Sequence, residues 1–228
     1  MPMARLLLLR RMNLEQARFN MVEQQIRTWQ VLDPAVLELL YAVPREEFVP
    51  AAFRKLAFAD MEIPIGEGEA MMAPKMEARI VQELALRKID RVLEVGTGSG
   101  YLTALLARCA AHVFSLEIRP VLVAFGGDNL ARHGADNVTL EVGDGARGDP
   151  RRAPYDAIVL TGSTPVLPAG LREQLAPGGR LFAVVGEPPV MVAQLITCAA
   201  PGAYGSVALF DTVLAPLVNA ERPPRFTF

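Results

Sequence analysis

The chain has 228 residues, 51% of them hydrophobic, and 23 basic residues against 25 acidic ones leave a net charge of −2. That apolar content supplies a large core and excludes a disordered chain, while the balanced charge excludes a broad cationic surface for gripping nucleic-acid phosphates. Two cysteines and two histidines are too few for a disulfide framework or a thiolate zinc site, so no metal is expected.

Met1–Arg11 carries a Leu6–Leu9 run between arginines. It falls short of the ~7–15 apolar residues at the heart of a signal peptide and is expected to be a disordered or loosely docked extension. No run reaches the ~18 apolar residues of a membrane span, so no membrane partner is expected. The cysteines, Cys109 and Cys198, lie in apolar stretches and read as thiols of a reducing, cytoplasmic compartment.

Residues 12–87 read as a helical cap with loops. Met21, Val22, Gln25, Ile26 and Trp29 recur at helical spacing. Asp33-Pro34 is an N-cap followed by proline at the first helical position, and Val43-Pro44 stops that helix. Ile63–Gly68 reads as a loop from its proline and glycines, and Pro74–Leu86 as another helix. Glu46 and Glu47 read as a solvated helix start.

Residues 88–186 alternate strand and helix. Arg91–Val95, His112–Leu116, Val138–Val142, Ala157–Leu160 and Leu181–Val185 are short apolar strands; Tyr101–Ala110, Pro120–His133 and Pro168–Leu175 are the helices between them. Gly126-Gly127 is expected to break the second of these, at ~1 kcal/mol per glycine. Pro177-Gly178-Gly179 reads as a turn into the fifth strand. Residues 187–228 add Val192–Thr197 and Val207–Val213 around a Pro201-Gly202 turn. Buried strands separated by helices predict an α/β fold: a doubly wound, Rossmann-like parallel sheet with an N-terminal helical cap, residues 12–228 forming one domain.

The stretch Leu93-Glu94-Val95-Gly96-Thr97-Gly98-Ser99-Gly100-Tyr101 carries the chemistry. Its glycines let the backbone turn tightly and approach a ligand with no Cβ in the way. Glu117-Ile118 ends the next strand, about 20 residues on, where an acid can hold ribose hydroxyls. Dehydrogenase loops read G-x-G-x-x-G, and their third glycine would fall at Tyr101. The spacing here is G-x-G-x-G after Glu94, the loop of S-adenosylmethionine (AdoMet) methyltransferases. Asp144, in Gly143-Asp144-Gly145 after the third strand, is placed to accept from an adenine amino group. The expected cofactor is AdoMet, and its expected contacts are Glu94, Gly96, Thr97, Gly98, Ser99, Gly100, Glu117, Ile118, Asp144 and Gly145.

Six segments resemble the protein-L-isoaspartate O-methyltransferase family. They are Pro44–Pro50, Pro64–Gly68, Leu93–Tyr101, Gly143–Gly145, Ala153–Ile158 and Leu175–Leu181, with a fainter likeness at Val213–Leu217. The match runs from about Met21 to Gly186. It implies a class I AdoMet methyltransferase fold, methylation of the α-carboxylate of an isoaspartyl residue, and a protein or peptide as partner. The family's acceptor loop reads Gly-Gln-Thr-Ile-Ser-Gln-Pro or close to it, with an essential serine. Here it is Gly68-Glu69-Ala70-Met71-Met72-Ala73-Pro74, so Ala70 stands for the threonine and Met72 for the serine. Both hydroxyls are gone. Backbone N–H groups, or Ser163-Thr164 on the loop after the fourth strand, are the candidate replacements. The gap leaves two alternatives open: another oxygen acceptor, or an AdoMet-binding relic without activity. The fourth-strand sequence Leu160-Thr161-Gly162-Ser163-Thr164-Pro165 lacks the Asn/Asp-Pro-Pro-Tyr/Phe of methyltransferases that act on nitrogen.

Overall fold

This computed structural model describes residues 13–222, so the Met1–Arg11 extension lies outside the described residues. The chain divides into two compact units, one ending at Gln82 and the other starting at Glu83.

In the first unit a helix, α1 (residues 13–21), runs on into a wider turn over Val22–Ile26 and a tighter one over Arg27–Trp29. It ends at Gln30, which adopts a left-handed φ of 62°. Helix α2 (Pro34–Ala42) starts where the Asp33 carboxylate accepts from the Ala35 amide at 2.8 Å, and it stops at an extended Val43, as Pro44 requires. Ile63–Gly68 departs from the expected loop. Ile63–Gly66 is strand β1, paired antiparallel with β2 (Glu69–Met71). The two residues between them, Glu67 and Gly68, both have positive φ, 56° and 80°, the signature of a type I′ hairpin turn. Helix α3 (Pro74–Leu84) follows. Met21, Ile26, Leu40, Phe48, Ile63 and Ile80 are all at or below 1% exposure and form the buried interior around these elements.

The second unit is built on a seven-stranded sheet. Its strands are β3 (Arg91–Val95), β4 (His112–Glu117), β5 (Val138–Val142), β6 (Tyr155–Leu160), β7 (Leu175–Glu187), β8 (Val190–Ala200) and β9 (Ala203–Thr212). Their spatial order is β5-β4-β3-β6-β7-β8-β9; β8 pairs antiparallel with both β7 and β9, and all other neighbours pair parallel. Helices α4 (Tyr101–Cys109), α5 (Pro120–Arg132) and α6 (Ala169–Glu173) make the crossovers. The expected doubly wound sheet is present. Its order reverses between β3 and β6, and in such sheets ligands bind at the carboxyl ends of the strands beside that reversal.

Two local expectations are corrected. Helix α5 is unbroken across Gly126-Gly127, because Gly126 is a packing glycine: a Cβ there would lie 3.0 Å from the Gly98 carbonyl and 3.1 Å from Thr97 Cγ2. The expected turn at Pro177–Gly179 is absorbed into β7, whose register against β6 shifts between Tyr155 and Ala157 to take up the extra residues.

Candidate functional site

The glycine loop leaves β3 at Val95 and enters α4 at Tyr101. Gly96, Gly98 and Gly100 all hold positive φ, at 95°, 54° and 80°, which a side-chain-bearing residue adopts only with strain. The loop is braced from both sides. Thr161, just past β6, shares its one hydroxyl hydrogen between the carbonyls of Val95 and Gly96, at 2.8 and 2.9 Å, and a Cβ on Gly96 would fall 2.1 Å from that oxygen. On the other side, Asn129 of α5 is fully buried and donates to the Ser99 carbonyl at 2.8 Å. Neither brace announces itself in the sequence, since each joins the loop to a residue about 30 or more positions away. A Gly126→Ala variant tests this seat. The added methyl strengthens the helix yet presses on Gly98, so Tm is expected to hold while AdoMet affinity falls about tenfold. Calorimetric titration beside a melting curve reads both.

Glu117, at the carboxyl end of β4 and 5% exposed, accepts from the Gly98 amide at 3.0 Å and the Arg119 amide at 2.9 Å, one on each oxygen. A carboxylate oxygen has two lone pairs, so each keeps capacity for a ligand hydroxyl. Ile118 beside it is half-buried. Asp144, past the end of β5, accepts from the Ala146 amide at 3.0 Å and from the Asn219 side chain at 2.9 Å. Gly145 packs so closely on Val95 that a Cβ would lie 2.6 Å from its Cγ1. Strands β3, β4 and β5 are neighbours, with Leu116 opposite Val95 and Glu117 opposite Val142. Gly96–Gly100, Glu117-Ile118 and Asp144-Gly145 therefore sit together at one end of the sheet. A loop with three left-handed glycines that bring no Cβ toward a ligand, with two acids beside it, fits a nucleoside whose hydroxyls and amino group are hydrogen-bond donors.

Glu94 has a different setting. It lies inside β3, is fully buried, and accepts on Oε2 from Thr103 at 2.5 Å and Ser115 at 2.6 Å. Ser115 in turn shares a 2.6 Å hydrogen bond with Thr97, so the network runs from Glu94 into the glycine loop. Burial pushes the Glu94 carboxyl up to about 8, against the two hydroxyl donors that favour its ionised form. Its Oε1 has no hydrogen-bond partner among the described residues.

Ser163 and Thr164 are 0% and 1% exposed and donate their hydroxyls to the Leu214 and Val166 carbonyls at 2.8 and 2.6 Å. Each hydroxyl has one hydrogen to give, and both are spent. They do not replace the missing pair. Beside them, at the carboxyl ends of β6 and β7, is a cavity of ≈ 430 Å³ lined by Ser163, Pro165, Glu187, Met191, Leu217 and Asn219 among others.

The acceptor loop belongs to the first unit. Ala70 is exposed on β2; Met71 and Met72 are 4% and 6% exposed and pack inward. Arg45, of the Pro44–Pro50 segment, is 1% exposed and donates to the Met72 carbonyl at 2.6 Å and to the Ala57 carbonyl at 2.9 Å. It also pairs with the buried Glu77. Glu46 is not solvated as expected: it is 8% exposed and pairs with Arg18 at 2.5 Å, a partner too distant in sequence to anticipate.

Comparison with known proteins gives a consistent result. The sequence profile of the family described as protein-L-isoaspartate(D-aspartate) O-methyltransferase matches residues 16–221. A protein-L-isoaspartate O-methyltransferase of Methanoculleus marisnigri is 46% identical over 169 residues, covering 74% of this chain and 77% of its own. One from Anaeromyxobacter is 43% identical, covering 84% and 91% respectively, and one from Marinobacter nauticus is 38% identical, covering 93% and 97%. Among solved structures, a protein-L-isoaspartate O-methyltransferase of Plasmodium falciparum in complex with S-adenosyl-L-homocysteine superimposes with a TM-score of 0.73 at 24% identity, over 86% of this chain and 95% of that one. That likeness establishes the fold.

Proposed function

The chain belongs to the protein-L-isoaspartate(D-aspartate) O-methyltransferase family, and we propose that it methylates the α-carboxylate of isoaspartyl residues in proteins with AdoMet as donor. The observation that carries the reading is the meeting of the left-handed glycine loop, Glu117 and Asp144 at the ends of three adjacent strands. Glu117 would hold the ribose hydroxyls, Asp144 the adenine amino group, and Gly96–Gly100 would give the donor close access to backbone. Glu94 supports that loop from behind through Ser115 and Thr97.

When bound, AdoMet supplies a methyl group on a sulfonium; the bond to sulfur breaks as a carboxylate oxygen bonds to the methyl carbon, and the bonding pair stays on sulfur. The acceptor carboxylate, with an ordinary pKa near ~4, is already ionised at neutral pH, so the chain has no proton to remove. What the residues contribute is orientation and approach. A hydroxyl donor to a carboxylate is worth ~1.5–3 kcal/mol, or roughly ten- to a hundredfold in rate. The Ala70 and Met72 substitutions therefore slow the acceptor step. Cys109 and Cys198 form no disulfide among the described residues, and the reading extends to work in a reducing cytoplasm.

The test has two halves. AdoMet titrated into the folded protein is expected to bind, and no heat of binding would overturn the cofactor assignment. An isoaspartyl peptide is expected to be methylated; binding of AdoMet without turnover would overturn the acceptor assignment. In the double variant Ala70→Thr/Met72→Ser, kcat/KM for that peptide should rise at least tenfold, while Tm drops by several degrees because Met72 is a buried side chain.

A further inference from the structure

We propose that Arg45 is the positioning residue of the acceptor loop, holding the backbone at Met72 in the geometry that the absent hydroxyls no longer help to define. The inference rests on the acceptor chemistry proposed above. The Arg45 guanidinium is fully engaged: Nε donates to the Ala57 carbonyl, Nη2 to the Met72 carbonyl, and Nη1 meets the Glu77 carboxylate in the first turn of α3. Arg45 and Glu77 are 1% and 2% exposed.

Such a pair is an expensive way to fill space. Two charges removed from water recover little net stability, and apolar side chains of similar size would pack as well or better. What the pair supplies is direction. The guanidinium is a rigid planar fork, and fixing one nitrogen on Glu77 and another on Ala57 leaves the third aimed at a single point, Met72 O. The Met72 carbonyl and the Ala73 amide share one peptide plane, so pinning the oxygen also fixes where that N–H points. At Ala70 and Met72 the loop has no side-chain donor for a carboxylate, and backbone amides are the donors left on it. Their orientation is what Arg45 sets.

The experiment replaces both charges together, Arg45→Met with Glu77→Leu, so that neither is left buried alone. We expect Tm within a few degrees of the parent and AdoMet affinity within twofold. KM for an isoaspartyl peptide should rise at least tenfold, and the amides of residues 69–73 should exchange with solvent at least tenfold faster. A role confined to stability would lower the active fraction and leave KM unmoved. Arg45→Lys keeps a charge for Glu77 but loses the fork, and should fall between the two; it decides on the same readouts should the double variant not fold. Unchanged KM and unchanged exchange would overturn the proposal. If the parent protein binds AdoMet but methylates no isoaspartyl peptide, the acceptor reading fails on its own, and the exchange comparison alone judges the clamp.

Discussion

Glu117→Ala is expected to raise the dissociation constant for AdoMet by about 10²- to 10⁴-fold, with the protein still folded. The carboxylate stands at the end of β4 and is held in place from the protein side by two backbone amides, Gly98 and Arg119. Those bonds fix its orientation before any ligand arrives, so a nucleoside need not pay to order it. Two hydroxyl-to-carboxylate bonds at ~1.5–3 kcal/mol each give roughly 3–6 kcal/mol, and ~1.4 kcal/mol is tenfold in affinity. The variant also releases the Gly98 amide, loosening the loop on which the donor rests. Glu117→Gln separates the two effects. Its amide oxygen can still accept from Gly98, but the charge is gone and one of its two positions is now a donor, so an intermediate loss is expected. Calorimetric titration with a parallel melting curve measures both. Affinity within threefold of the parent in a folded Glu117→Ala variant would remove the ribose assignment.

The part of this site that could be read from the sequence is the part written in consecutive residues. A strand, three alternating glycines and a helix are local features, and β3, the loop and α4 fall where the pattern puts them. The strand-end places of Glu117 and Asp144 are legible because strand ends recur at regular spacing in a doubly wound sheet. What could not be read depends on partners far along the chain. Gly126-Gly127 looks like a helix break until the Gly98 carbonyl is found against Gly126; then the glycine is what lets α5 approach the loop. The β1–β2 hairpin was hidden because its turn is Glu67-Gly68, and a glutamate at positive φ carries none of the usual Asn-Gly or Asp-Gly signal. Arg45 and Glu77 are separated by the whole of β1 and β2, and only the fold closes the pair. Ser163 and Thr164 show the converse error: hydroxyls that look available in a loop have already given their hydrogens to nearby carbonyls.

Glu94 turns burial into a pH dependence of stability. Its carboxyl moves from an ordinary value of 4.5 to about 8 in the folded protein, chiefly because the charged form is cut off from water. Between those two values the folded chain holds a proton that the unfolded chain has lost. Stability from this group is therefore fully present below about pH 4.5, declines as pH rises through the interval, and is gone above about pH 8. Each pKa unit corresponds to ~1.4 kcal/mol, so the span amounts to roughly 3–5 kcal/mol. Glu94→Gln keeps the shape and an oxygen for Thr103 and Ser115 but cannot ionise. Its new amide group takes the place of Oε1, which has no hydrogen-bond partner among the described residues, and that lowers stability by a constant ~1–3 kcal/mol at every pH. Urea unfolding from pH 5 to pH 9 should therefore give two curves that converge: the parent more stable at the acid end, the variant level with it or ahead at the alkaline end. The sign of the convergence is the critical result. Parallel curves would mean that Glu94 is ionised in the folded protein, with its charge balanced by something other than the two hydroxyls. The path from Glu94 through Ser115 and Thr97 to the glycine loop would then have to be redrawn around a fixed negative charge.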